Sequence, residues 1–126
     1  MIFMKDNTFE FFRNNSELLE LYDELIQQLV DLPKLTIKKR KTYDHMVVLC
    51  NRRNFAYISL LDDNGAFMNE GFRIVISITP RINSARIQTI TEPHPGRFSH
   101  HIIIRRKSDI DFQLIEWLKQ AYRDAQ

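Results

Sequence analysis

The segment richest in chemistry is Glu92-Pro93-His94-Pro95-Gly96-Arg97-Phe98-Ser99-His100-His101. Its three histidines raise the question of a metal site. Strand spacing argues against one: neighbours such as His100 and His101 point to opposite faces of a β-strand and cannot share an ion. No Cys-x-x-Cys, His-Glu-x-x-His or carboxylate triad lies nearby to supply further ligands. The expectation is no metal and no other cofactor. Recognition suits these residues better. The prolines of Pro93-His94-Pro95-Gly96 restrict the turn and fix where Arg97 emerges. A planar guanidinium matches a phosphate or carboxylate, and an adjacent imidazole adds a donor. Arg97 with one of His100 or His101 is therefore the candidate polar centre of a ligand site, with His94 and Arg73 as further candidates. The structural alternative pairs Arg97 with Glu92, or sets it at a helix C-terminus, and leaves the histidines to backbone groups.

Catalysis asks for more. A nucleophile, a base and an orienting group must converge. Ser99 with His101, and Cys50 with His45, are the pairs that can be drawn, and neither belongs to a local catalytic signature. Cys50 ends an apolar run and reads as a small core residue. Asp44, Asp62, Asp63, Glu70 and Glu92 have no spacing that selects a metal-binding pair of carboxylates. Gly65, Gly71 and Gly96 are isolated, so there is no glycine-rich phosphate loop.

The elements that must position these residues follow from periodicity. Leu18, Leu21, Tyr22, Leu25, Ile26 and Leu29 recur at spacings of three and four, behind Ser16 as N-cap and ahead of the helix-stopping Pro33. The period then changes to two. Strands are expected at Leu35–Lys39, Tyr43–Cys50, Asn54–Leu60, Phe72–Thr79, Arg86–Thr91 and Phe98–Arg105. Asn51-Arg52-Arg53 suits a tight hairpin, and Asp62-Asp63-Asn64-Gly65 a turn. The strand from Phe72 is the clearest: Phe72, Ile74, Ile76 and Ile78 face one way, Arg73, Val75, Ser77 and Thr79 the other. A last helix starts at Ser108, with Asp111 completing an approximate capping box and Ile110, Leu114, Trp117, Leu118 and Ala121 as its stripe. The expected fold is α+β: an antiparallel meander of five to six strands with the N-terminal and C-terminal helices packed on one face. The core joins Phe72, Ile74, Ile76 and Ile78 to Leu114, Trp117 and Leu118. The other face, mixed and basic, is left to solvent, a ligand or a second subunit.

Composition sets the bounds. The chain has 126 residues, 44% hydrophobic and 27% charged, an ordinary balance for a single domain spanning 1–126. Residues 1–15 are an arm or short helix. One cysteine rules out an internal disulfide, no run is long enough for a signal peptide or a membrane span, and a cytoplasmic location is expected. Net charge is only +2, but Lys34 to Lys107 holds 14 Lys and Arg against 5 Asp and Glu. The sheet is basic and the helices acidic, a distribution that attracts anionic ligands or nucleic acid. The run Lys38-Lys39-Arg40-Lys41, with Arg52 and Arg53, adds a basic rim. Basic strand edges also deter aggregation, and that reading needs no partner.

The run Glu-Pro-x-Pro-Gly-Arg-Phe-x-His-His at Glu92 to His101 resembles a bacterial family described as a domain of unknown function. The closing pattern Ser108-Asp-Ile-Asp, then Trp117-Leu118 and Ala121-Tyr122, is similar to that family's ending, as are Lys41-Thr42 and Phe55-Ala56. The resemblance implies a strand and a helix after the histidine segment and carries no catalytic residue. Such domains occur alone or beside others, some nuclease-like, which points towards nucleic-acid biology. The functional expectation is a small, non-catalytic binding or accessory module for an anionic ligand or nucleic acid. The alternatives are a hydrolase or nuclease-like enzyme using His100 or His101, and a homodimerisation module.

Overall fold

The computed structural model describes residues 16–40, 46–60, 71–79 and 81–126. The N-terminal arm, the start of the second strand at Tyr43, the Asp62-to-Gly65 turn and Pro80 lie outside the described residues. Helix α1 spans Ser16–Gln27 and buries Leu18, Leu21, Tyr22, Leu25 and Ile26. Ser16 is helical, and the residues before it lie outside the described ones. The chain tightens beyond Gln27, with the Leu29 amide donating to the Ile26 carbonyl at 2.9 Å. The helix therefore ends well before Pro33.

Six strands follow: β1 Thr36–Arg40, β2 Met46–Cys50, β3 Asn54–Leu60, β4 Phe72–Ile78, β5 Ile87–His94 and β6 Arg97–Ile104. All neighbouring pairs are antiparallel. The spatial order is β1-β2-β3-β4-β6-β5, so the meander expected from the sequence holds only through β4. The departure has a physical cause. Inward positions of β6 carry Ile102 and Ile104, both buried, whereas β5 is largely exposed and contains Pro93. A strand apolar enough to be covered takes the central place. A strand with a proline and no amide to donate there takes the edge. Two register shifts, between Ile87 and Thr89 and between Thr91 and His94, break the regularity of that edge.

The inward rows are apolar across the sheet. Val47 pairs with Ile58, Ile58 with Ile74 and Ile74 with Ile102. The next row runs Leu49, Ala56, Ile76 and His100. Register shifts between Leu49 and Cys50, placing Phe55 as the extra residue of a bulge. The bulge aims the buried Phe55 at α2, where its ring meets Tyr122 edge-on at 5.8 Å between centroids.

Helix α2 spans Phe112–Asp124, behind a short 3₁₀ turn at Lys107–Asp109. It begins four residues after Ser108, the expected start, because Asp111 is the N-cap and accepts the Leu114 amide at 3.0 Å. Leu114, Ile115, Leu118, Ala121 and Tyr122 are buried against the sheet, and Trp117 packs partly buried beside them. The α1 stripe belongs to the same core. The far end of α2 is tied down by the β2–β3 hairpin. Asn51 donates to the Tyr122 carbonyl at 3.1 Å, the Arg53 amide to the Ala125 carbonyl at 3.1 Å, and the Arg53 guanidinium to the Asp124 carbonyl at 2.5 Å. Arg53, expected in a basic rim, instead caps the helix C-terminus, where a cation also complements the dipole.

Candidate functional site

Strand alternation divides the candidate residues between two environments. His100 points inward beside Ile76 and is 1% exposed. Its Nε2 accepts the Ile82 amide at 3.0 Å, and its Nδ1 lies 3.2 Å from the Ile76 carbonyl. A carbonyl only accepts and an amide only donates, so the ring is the Nδ1–H tautomer with both nitrogens used. Burial holds its pKa below the ordinary value, helped by Arg81 and opposed by the backbone carbonyls of Ile76 and Phe98. This histidine pins the β4–β5 connection to the core.

His101 points the other way. It pairs with Val75 on one side and Thr89 on the other. Burial, then Arg73 and then His100, hold its pKa low, so it presents a neutral ring. One row of this face, opposite the helix-packed core and termed the open face for its half-buried residues, runs Lys38, Val48, Tyr57, Val75, His101, Thr89. A second runs Ser59, Arg73, Ile103, and a third Ser77, Ser99, Thr91. Tyr57, Arg73, Val75, Ser77, Ser99, His101 and Ile103 are each half-buried, while Val48, between Lys38 and Tyr57, is fully covered.

Arg97 opens β6 on the same face. Its Nη2 donates to the Ser77 hydroxyl at 3.1 Å, a partner on the neighbouring strand rather than the expected Glu92. Glu92 is used locally, its Oε2 accepting the Gly96 amide at 2.9 Å. Gly96 has φ +79°, which, after Pro95, gives the combination of a type II turn. That turn closes the β5–β6 hairpin and sets His94 opposite Arg97. Of the five candidates, Arg73, His94, Arg97 and His101 thus share one face, and His100 lies apart in the core.

The charge of the sheet is one-sided. Among the six strands Lys38, Lys39, Arg40, Arg73 and Arg97 are basic, and Glu92 is the one acid. At the far end of β6 a cleft of about 250 Å³ is lined by Arg86, Gln88, Ile103, Arg105, Arg106 and Asp109, among others. Arg86 is committed there to structure. It reaches Asp111 at 2.8 Å, Gln113 at 3.1 Å and the Asp109 carbonyl at 2.6 Å, with its guanidinium 5.8 Å from the Trp117 ring centroid.

The drawn catalytic pairs fare differently. The Cys50 thiol is buried and bonded to Asn54 Oδ1 at 2.7 Å, while His45 lies outside the described residues. Ser99 and His101 share the open face two positions apart on β6. Among the described residues no three His, Cys, Asp or Glu cluster to hold a metal ion, and no helix is long and apolar enough to cross a membrane. The sequence singles out Ser99 only as a catalytic partner for His101, and Tyr57 and Ser77 not at all as site residues. The alternation of β3, β4 and β6 was the signal for them, but their meeting depends on which strands pair.

No curated protein and no solved structure matches the chain. One family model does, described as Domain of unknown function (DUF5655), over residues 9–125. That match spans nearly the whole sequence, α1 to α2 included, and the chain belongs to this family.

Proposed function

We propose that this domain is a non-catalytic binding module for an anionic ligand or nucleic acid, contacting it through the open sheet face and the His94-to-His101 hairpin. The observation that carries the reading is the sheet's charge. Glu92, the one acid among the described strand residues, turns its carboxylate to the Gly96 amide, and Arg73, Arg97 and the neutral His101 stand on one face. Half-buried guanidinium groups with apolar neighbours attract anions more strongly than fully solvated ones. A non-catalytic role is supported by the two groups best placed for chemistry. The His100 imidazole is spent on backbone partners, and the Cys50 thiol on Asn54. A cytoplasmic setting belongs to the same reading, supported by the lone buried Cys50.

Thermal shift against inorganic phosphate, polyphosphate and short oligonucleotides tests it, since a ligand of the folded state raises Tm. Arg97→Ala is expected to leave the Tm of the free protein nearly unchanged and to reduce the ligand-induced shift. If none of these anions shifts the unmodified protein, the reading is wrong.

A further inference from the structure

We propose that the occupant of the open face is a single strand of nucleic acid lying along β6, with phosphates at Arg97 and Arg73 and bases over Tyr57, Val75 and His101. The inference rests on the anion-binding reading and names its ligand. It begins with distance. Arg97 and Ile103 are six positions apart on β6, roughly 20 Å at the rise of an antiparallel strand. Arg73 lies opposite Ile103 on β4. Two arginines whose backbones are that far apart are better placed for separate anionic groups than for one shared phosphate or carboxylate. They fit successive charges of a chain.

What lies between them selects the kind of chain. Moving along β6 from Arg97, the floor is first the Ser77–Ser99 pair of hydroxyls, then Val75 beside His101, then Ile103. Tyr57 stands next to Val75 on the other side. The backbones of Tyr57 and His101 are two strand spacings apart, roughly 10 Å, with one valine between them. Two planar rings flanking an aliphatic floor offer stacking surface, and the hydroxyls offer donors and acceptors for base edges. The uncharged state of His101 suits it to stack rather than to bind phosphate.

A polyphosphate has no group to place on these rings. A duplex keeps its bases stacked inside and presents mainly its phosphates. A single strand uses both parts of the face, and among the described strand residues its backbone meets no carboxylate other than Glu92, already hydrogen-bonded to Gly96.

Fluorescence anisotropy of the full chain with a short labelled oligothymidylate, alone and as a duplex with its complement, tests the inference without any variant. The single strand is expected to bind at least about tenfold more tightly than the duplex. Tyr57→Leu and His101→Leu keep apolar volume and remove the rings; each is expected to weaken single-strand binding about tenfold, within the range for one lost stacking contact. Arg97→Ala is expected to lower the slope of log K against log salt by about one ion. Equal binding of single strand and duplex, or ring variants that bind as well as the unmodified protein, would overturn the assignment. Displacement of the probe by polyphosphate would then show that the anion site is real while its proposed occupant is not. Failure of every polyanion to bind would end both readings.

Discussion

The Ile82 amide donates to Nε2 of His100 at 3.0 Å, joining two residues 18 positions apart through an imidazole with almost no solvent contact. Only the neutral ring can accept that bond, so protonation must break it. The folded protein holds the His100 pKa below its ordinary value of 6.5, chiefly through burial. The unfolded chain therefore binds the proton first as pH falls. Stability is expected to be full above about pH 6.5 and to decline as pH drops from there through the folded pKa. His101 acts in the same direction. Urea unfolding across this range, compared with His100→Gln, checks the assignment. The variant should lose part of the slope, and an unchanged slope would remove His100 as its source.

Ile76 is fully buried between Ala56 and His100 in the central inward row. Ile76→Ala is expected to cost ~2–5 kcal/mol by removing apolar contact and leaving a cavity. Val75→Ala, on the open face, should cost less. Chemical denaturation of both variants gives the comparison, and equal losses would contradict the strand phase.

Asp111 caps α2 and meets Arg86 at 2.8 Å. Its pKa is lowered even though partial burial pushes it up, because the Leu114 amide and Arg86 outweigh that burial. Both side chains keep solvent contact, 25% for Arg86 and 47% for Asp111, so the ion pair itself is screened. Asp111→Ala is expected to cost about 0.5–2 kcal/mol, mostly as the lost cap, and Asp111→Asn less. This contribution is present above the unfolded carboxylate pKa and fades as pH falls through the folded one. A calorimetric comparison at neutral pH separates cap from charge.

Gly71 has φ +127°, and a Cβ there would come 2.1 Å from the Ile104 carbonyl oxygen. Neither the conformation nor the space admits a side chain. Gly71→Ala is expected to cost more than about 1 kcal/mol, against a smaller loss for Gly96→Ala, where no atom crowds the added carbon. Thermal melts of the two variants give the ranking.

Local patterns carried the elements further than their arrangement. Phe72, Ile74, Ile76 and Ile78 alternate with polar or half-exposed residues, and that phase is the observed one. The bounds of β3 also follow the pattern, because Asn51-Arg52-Arg53 interrupts it cleanly. Both helices were legible from their stripes, but the start of α2 was not. Ser108 and Asp111 both have cap chemistry, and the choice fell to the residue that Arg86 also holds. The opposite facing of His100 and His101 follows from spacing alone. The partner of His100 does not, since the Ile82 amide reaches it only through tertiary folding. Equally, nothing in the order of residues says that Arg97 will find Ser77, because that contact exists only once β6 lies against β4.

The placement of β6 between β4 and β5 also bears on how the domain assembles. Among the described strands β5 pairs with β6 alone, so the outer strand has no described partner until its successor is formed. The Pro95-Gly96 turn closes that pair locally, and a local hairpin forms in microseconds, faster than a distant strand pairing. The economical route is a β5–β6 hairpin that forms first and docks as a unit on β4, zipping Ile78 to Phe98 through Phe72 to Ile104. On that route the strained Gly96→Ala turn slows refolding more than it speeds unfolding, and stopped-flow chevrons would show the folding arm displaced. A variant that moves only the unfolding arm would mean that docking comes before the turn.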